Sequence, residues 1–360
     1  MLGRESTIRA VTSPATHSMC SAVVEGPHRI SLIDRARPEP APGEVRVRVR
    51  YAGICGSDVH ILHGLNPFVV YPRVIGHELV GHVEATGSGV SPHRVGERVA
   101  VDPVIACGSC YPCSMGRRNV CRQLQVLGVH KDGGFSDFLC APASNAHLVP
   151  EGIADASAAT IEPFAVAANV TNRTGVHPND IALVYGAGPI GLMVLQVLKG
   201  VHGIRVLVTD RLDERLTRAT ACGADAVINT AREPLPEALR RLGIEDGPTL
   251  VIDAVCHPAI LEEAVRVASP GGRIGMLGFS TVPSAVPQQE TTRKELSLFA
   301  SRLNSGMFPR VIDWMKEGRL QPERVVSHQV PFAELHRAFE LVEGDPRASS
   351  KVLLDFAPRA

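Results

Sequence analysis

Apolar and polar positions follow two rhythms along the chain, and the change falls near residue 150. From Met19 to Val149 the apolar runs are short. Residues 20–24 read as a first strand, and residues 44–50 alternate polar and apolar as a half-exposed strand does. Gly and Pro interrupt every run up to Pro150, which predicts an all-β, barrel-like unit with long loops. From about Ala154 the text turns Ala-rich and helical. Strands are then predicted over 181–185, 205–210, 226–228, 250–253 and 272–277, with helices over 212–221 and 259–268. Strands alternating with helices mean βαβ units and a parallel sheet. Beyond Ala300 the chain predicts helices and a last strand over 351–354 that returns to the first unit. The fold class is therefore α/β plus β. There is no internal repeat and no low-complexity segment.

Residues 181–198 carry no charge and are long enough to span a bilayer. Glycines and Pro189 break the run early, and a buried strand feeding a buried helix is equally apolar. The strand-helix reading is the expectation, and no membrane partner is expected. Residues 1–18 show no strand or helix period and no apolar signal core. They are expected to form a disordered, dispensable extension, with Met19 as the working start.

Composition narrows the class. The chain has 360 residues, more than one core usually organises, so two domains are expected. Its formal net charge is zero, which offers no field for a nucleic-acid backbone or an anionic membrane. Nine cysteines without a secretory leader fit a reducing, cytoplasmic setting where Cys clusters bind metal more often than they pair.

Two sets of metal-type ligands stand out. Cys107, Cys110, Cys113 and Cys121 have the spacing C-x2-C-x2-C-x7-C. Four thiolates from one short loop suit a closed structural zinc site. The rival, an iron–sulfur run, ends x3-C-P, and this one does not. The second set is mixed and dispersed: Cys55, His77, Glu78 and Glu162. Each alone would ordinarily be structural. Together they form a candidate open zinc site that could polarise an alcohol or carbonyl oxygen.

The loop Gly186-Ala187-Gly188-Pro189-Ile190-Gly191 follows a predicted strand and opens a predicted helix. Asp210 stands 19 residues after Gly191, at the end of the next predicted strand. That context completes the dinucleotide fingerprint. The glycines admit the pyrophosphate, the helix N-terminus favours its charge, and Asp210 would accept from the ribose hydroxyls. A carboxylate there repels a 2′-phosphate, so NAD is favoured. Arg211 and Arg215 keep NADP as the less favoured alternative.

These residues carry a resemblance. The segment Gly76-His77-Glu78-Leu79-Val80-Gly81, followed by Gly87 and Val90, resembles the zinc signature of the medium-chain dehydrogenase/reductase family, of the alcohol and polyol dehydrogenase type. The four-Cys lobe and the Gly186 loop match in order and spacing, and the resemblance runs from Met19 to near the end of the chain. It implies a GroES-like β-barrel catalytic domain over 19–165 and 301–360, with the zinc lobe near 104–122. It implies a Rossmann doubly wound coenzyme domain over 166–300 and two zinc ions per chain. Cys55 and His77 would bind catalytic zinc, with Glu78 a ligand or a neighbour of the ligands. Glu162 matches the glutamate of polyol dehydrogenases, where liver-type alcohol dehydrogenases have cysteine. Ser57 and His60 match the proton-relay positions, a task suited to a hydroxyl and an imidazole.

Within the family, Asn66-Pro67-Phe68, Tyr71-Pro72-Arg73 and Ser301-Arg302-Leu303-Asn304-Ser305 resemble a bacterial group of sugar-acid oxidoreductases. That group includes L-galactonate and L-gulonate 5-dehydrogenases and starvation-sensing oxidoreductases. The resemblance places Arg302, Asn304 and His130 at the substrate, with Arg302 suited to a carboxylate. The expectation is an NAD-dependent oxidation of a secondary alcohol in a sugar acid or polyol, by a homodimer or homotetramer. A threonine or other alcohol dehydrogenase of the family is one rival, and a non-catalytic NAD-binding regulator is another.

Overall fold

The computed structural model describes residues 18–357. The expected extension lies outside them except for Ser18, which opens the first strand, Ser18–Gly26. The barrel-like unit is built on the strand Glu44–Gly53. It pairs antiparallel with Glu78–Thr86 on one side, and with Phe138–Pro142 and Lys351–Asp355 on the other. The last strand therefore does return to the first unit.

Flanked on both edges, Glu44–Gly53 is more buried than its alternation predicts. Val45, Val47 and Val49 face the core. Arg46, on the polar face, is also buried, and its guanidinium bonds Glu84 at 2.6 Å and the Pro38 carbonyl at 2.9 Å. Charged partners on neighbouring segments make that burial tolerable.

The coenzyme unit holds six parallel strands in the spatial order Ala226–Asn229, Arg205–Asp210, Ile181–Tyr185, Leu250–Asp253, Arg273–Met276, Ser297–Ala300. In chain order that is 3-2-1-4-5-6, a doubly wound sheet. The order reverses between Ile181–Tyr185 and Leu250–Asp253, so a ligand crevice opens beyond their carboxyl ends. The edge strand Ser297–Ala300 was not among the predicted strands; it is a short run in mixed text. The apolar run 181–198 divides as expected into a strand and the helix Pro189–Gln196, both packed in the core. Among the described residues no helix is long and apolar enough to cross a membrane.

The helix Ile161–Thr174 crosses the expected boundary at residue 165. Its Ala-rich faces pack into the sheet's core, and it ends at Gly175, whose φ of 67° suits glycine. Its first turn carries Glu162. One rigid element thus ties the coenzyme core to a candidate metal ligand.

Candidate active site

Strand register assembles the mixed ligand set. Gly53 is opposite Glu78, so Cys55, two residues past Gly53, meets His77, one residue before Glu78. Gly53 leaves room there, since a Cβ would lie 2.1 Å from Glu78 Oε2. Gly76, at φ 92°, turns the chain into His77 where a Cβ would strike the Phe135 ring. Ligand atoms of Cys55, His77 and Glu78 all lie within 4.8 Å of one another.

Two residues outside the sequence reading hold this arrangement. Asp58 is fully buried. It accepts from the Cys55 amide at 2.9 Å and the Gly76 amide at 3.1 Å, and sits 3.6 Å from His77 Nδ1. Burial would hold the His77 imidazole down, but Asp58 and then Cys55 outweigh it and raise it well above the usual range. A carboxylate behind a ligating imidazole fixes the ring and increases its basicity. The second residue is Lys351, which donates to both Glu78 oxygens at 2.8 Å and to the Ile54 carbonyl at 3.1 Å. The C-x-x-D spacing was a visible signal for Asp58. Lys351 is 273 positions from Glu78, and only its charge at the head of an apolar strand marked it.

Glu162 lies outside the three-residue cluster but within its field. Its carboxyl is pushed up to about 8, first by burial and then by Glu78 and Asp102, against His77 and Lys351. His77 Nδ1 is buried with no hydrogen-bond partner. A thiol, an imidazole whose Nδ1 faces Asp58 and leaves Nε2 for a ligand, and buried carboxylates fit a zinc ion with an open position. Ser57 Oγ is 3.4 Å from His77 Nε2. His60 is exposed one turn further along the helix Gly56–Leu62.

The lobe brings four sulfurs together. Cys110 lies 3.5 Å from Cys113 and 3.7 Å from Cys121, and Cys121 lies 3.4 Å from Cys107. Tetrahedral Zn–S bonds near 2.3 Å would set sulfurs roughly 3.8 Å apart, so the lobe fits the ion. The Ser109 and Cys110 amides hold the Cys107 thiol down to about 6. Cys113 is pushed up to about 12, chiefly by burial.

The coenzyme loop has distinct glycine roles. Gly186 has φ 90°, and a Cβ on Gly191 would lie 1.8 Å from the Gly186 carbonyl. A Cβ on Gly188 would meet open space, where a pyrophosphate fits. Pro189 opens the helix, and Ile190 packs against its core. Asp210 accepts from the Ala187 amide at 2.9 Å and the Arg211 amide at 2.7 Å. Arg215 is turned toward the Pro346 carbonyl at 2.9 Å and stands 3.7 Å from Asp210.

The candidate substrate residues divide. Among the described residues no carboxylate pairs with Arg302, whose guanidinium packs beside the touching Phe68 and Phe279 rings. His130 Nδ1 accepts from the Val126 amide at 3.1 Å. Its imidazole is held low by burial, then by Arg302 and Arg73. Asn304 is turned inward. It is fully buried and donates to Asp102 at 3.2 Å, so in this arrangement it braces its loop rather than facing a ligand.

The match to known proteins follows this geometry. Residues 41–151 match the alcohol dehydrogenase GroES-like domain, and residues 189–317 match the zinc-binding dehydrogenase domain. The chain is 54% identical over 340 residues to the starvation-sensing protein RspB of Escherichia coli K12, covering 94% of this chain and all of that one. It is 32% identical to L-galactonate-5-dehydrogenase of the same strain, covering 88% of this chain and 93% of that one. The crystal structure of the RspB short chain alcohol dehydrogenase of E. coli CFT073, complexed with the cofactor NADH, superposes with a TM-score of 0.92. It shares 54% identity and covers 94% of this chain and all of that one. The chain belongs to the zinc-dependent alcohol dehydrogenase family of medium-chain dehydrogenases. Its fold is that family's GroES-like domain joined to a Rossmann domain.

Proposed function

We propose that this chain oxidises a secondary alcohol of a sugar acid, or of a related polyol, with NAD as acceptor. The observation that carries the reading is Arg302: a half-buried guanidinium with no carboxylate partner among the described residues, held on a braced loop in a polyol-type dehydrogenase fold. Planar guanidinium matches carboxylate bidentately, and an aldonate supplies one next to a row of hydroxyls. The likeness to an L-galactonate dehydrogenase supports the same class.

When bound, zinc would acidify the substrate hydroxyl and the nicotinamide would accept hydride. Cys55 and His77 would hold the ion with a carboxylate, either Glu78 of their own cluster, paired with Lys351, or Glu162 beside it. Asp58 orients His77. Ser57 Oγ would take the hydroxyl proton and pass it toward His60, one turn away and open to solvent. His130, neutral beside Arg302, would donate from Nε2 to a substrate oxygen. Asp210 would hold the adenosine ribose and favour NAD over NADP. A homodimer or homotetramer is part of the proposal, read by light scattering.

The test is NADH formation on aldonates, polyols, threonine and short alcohols, with R302M beside the wild-type chain. The proposal expects turnover of an aldonate and a KM raised at least about tenfold by R302M, as a charge-assisted pair implies. Turnover of threonine alone would refute it.

A further inference from the structure

We propose that Phe68 and Phe279 are specificity-determining residues, one from each domain, that form an aromatic clamp on one side of Arg302 and shape it as the receptor for the anionic end of the substrate. The inference rests on the dehydrogenase reading above and deepens it.

Phe68 belongs to the catalytic domain. Phe279 follows the strand Arg273–Met276 of the coenzyme domain. Their rings meet edge to face with centroids 5.7 Å apart. The Arg302 guanidinium carbon lies 5.1 Å from the Phe68 centroid and 5.6 Å from the Phe279 centroid. The cation therefore sits where the two domains meet.

The packing has a chemical consequence. Aromatic faces are electronegative and attract the flat face of a guanidinium. Its N–H donors lie in the plane, at the edge, where a carboxylate binds bidentately. The three separations are nearly equal, so both rings lie to one side of this guanidinium and leave its outward edge for a ligand. No carboxylate among the described residues occupies that edge, and the nearby His130 offers no negative charge.

The backbone beneath Arg302 is built to hold still. Asn169 donates to Ser301 Oγ at 2.9 Å and to the Leu303 carbonyl at 3.1 Å. Asn119, in the cysteine lobe, donates to the Arg302 carbonyl at 2.5 Å. Leu303 is bent to φ 51°, a conformation that a leucine keeps only when its surroundings impose it. With the loop fixed, aim of the guanidinium falls to the two rings.

Both rings are large and unusually open, Phe68 at 40% and Phe279 at 64% exposure. Leu65 and Val70 beside Phe68, and Val282 beside Phe279, are exposed too. The two segments thus present an apolar rim around one unpaired cation. A ligand with a carboxylate at one end and carbinol carbons along its length complements both features.

The variants F68L and F279L keep apolar bulk and remove the aromatic face. Both residues are exposed, so folding should survive. The readout is the ratio of Kd for L-gulonate to Kd for its uncharged six-carbon counterpart sorbitol, by calorimetry on the zinc-loaded enzyme with NADH. Each variant should worsen that ratio about tenfold, which corresponds to ~1.4 kcal/mol. In an R302M background F279L should change it by less than about twofold, because coupled residues are not additive. A ratio unchanged in F68L and F279L, an equal effect with and without Arg302, or no L-gulonate binding by the wild type would overturn the clamp. Turnover is measured separately. Anion selectivity through the clamp without aldonate turnover would leave the clamp standing and refute the proposed substrate.

Discussion

Lys351 Nζ donates to both carboxylate oxygens of Glu78, each at 2.8 Å, and neither side chain is more than 4% exposed. The last strand of the chain thereby neutralises a carboxylate of the metal site. Burial pulls Lys351 toward the neutral form, but Glu78 and then Cys55 more than reverse it. Removing one partner leaves the other charged and unpaired in a dry interior. K351M should therefore lose about 3–5 kcal/mol in chemical denaturation. The double variant K351M/E78L should recover much of that loss, because no orphan charge remains. Equal losses in both would mean that the pair is not the source.

The cysteine lobe does more than close on itself. Asn119 holds the Arg302 carbonyl, and Ser305 Oγ donates to the Gly116 carbonyl at 2.7 Å. C110S should release the lobe zinc, lower Tm, and raise KM for the anionic substrate more than it lowers kcat. Metal content and steady-state kinetics on the same preparation check this. A lobe variant that loses its zinc but keeps its KM would separate the lobe from the substrate loop.

Asp210 bonds the Ala187 amide of the glycine loop, so it serves the loop as well as the ribose it is proposed to hold. D210A should raise KM for NAD by about tenfold or more, the scale of one charge-assisted hydrogen bond. The NAD-to-NADP preference should narrow in parallel. An unchanged preference would remove Asp210 from coenzyme choice.

Two histidines away from the site, together with His130 in it, give the chain an acid-side weakness. His147 is held below the usual histidine range by burial and then by Arg94 and Arg118, and His202 by burial and then by Arg319. Their folded-state values lie below the unfolded value near 6.5. Above that pH both states are neutral and nothing is lost. As pH falls through it, the unfolded chain takes protons that the folded chain resists, so stability declines. Tm should drop from pH 7 to pH 5.5, less steeply in H147Q/H202Q. Equal slopes would place the loss elsewhere.

The architecture was legible because its signals are local. Six residues of glycine-rich loop, an acidic residue one strand later and four closely spaced cysteines each report on their own neighbourhood. The expected strands from 181 to 277 correspond to observed strands, since runs buried on both faces are uniformly apolar. What stayed hidden depends on distant contact. Lys351 meets Glu78 only because the last strand returns to the barrel. Asn304 looked like a ligand contact, yet burial turns it to Asp102. Arg302 and its two rings come from three separated segments, and no local spacing encodes their meeting. The helix over residue 165 had no break to announce a domain boundary, because the same helix serves both units.

The central claim is a dehydrogenase with two different metal sites, of which the mixed one does the chemistry. The most direct measurement is zinc per chain in the wild type and in C55S, taken with NADH binding and aldonate-dependent NADH formation. Two zincs are expected in the wild type, one for each ligand cluster, and one in C55S. C55S should still bind NADH but lose turnover. Full turnover in C55S, or one zinc in an active wild-type chain, would contradict it.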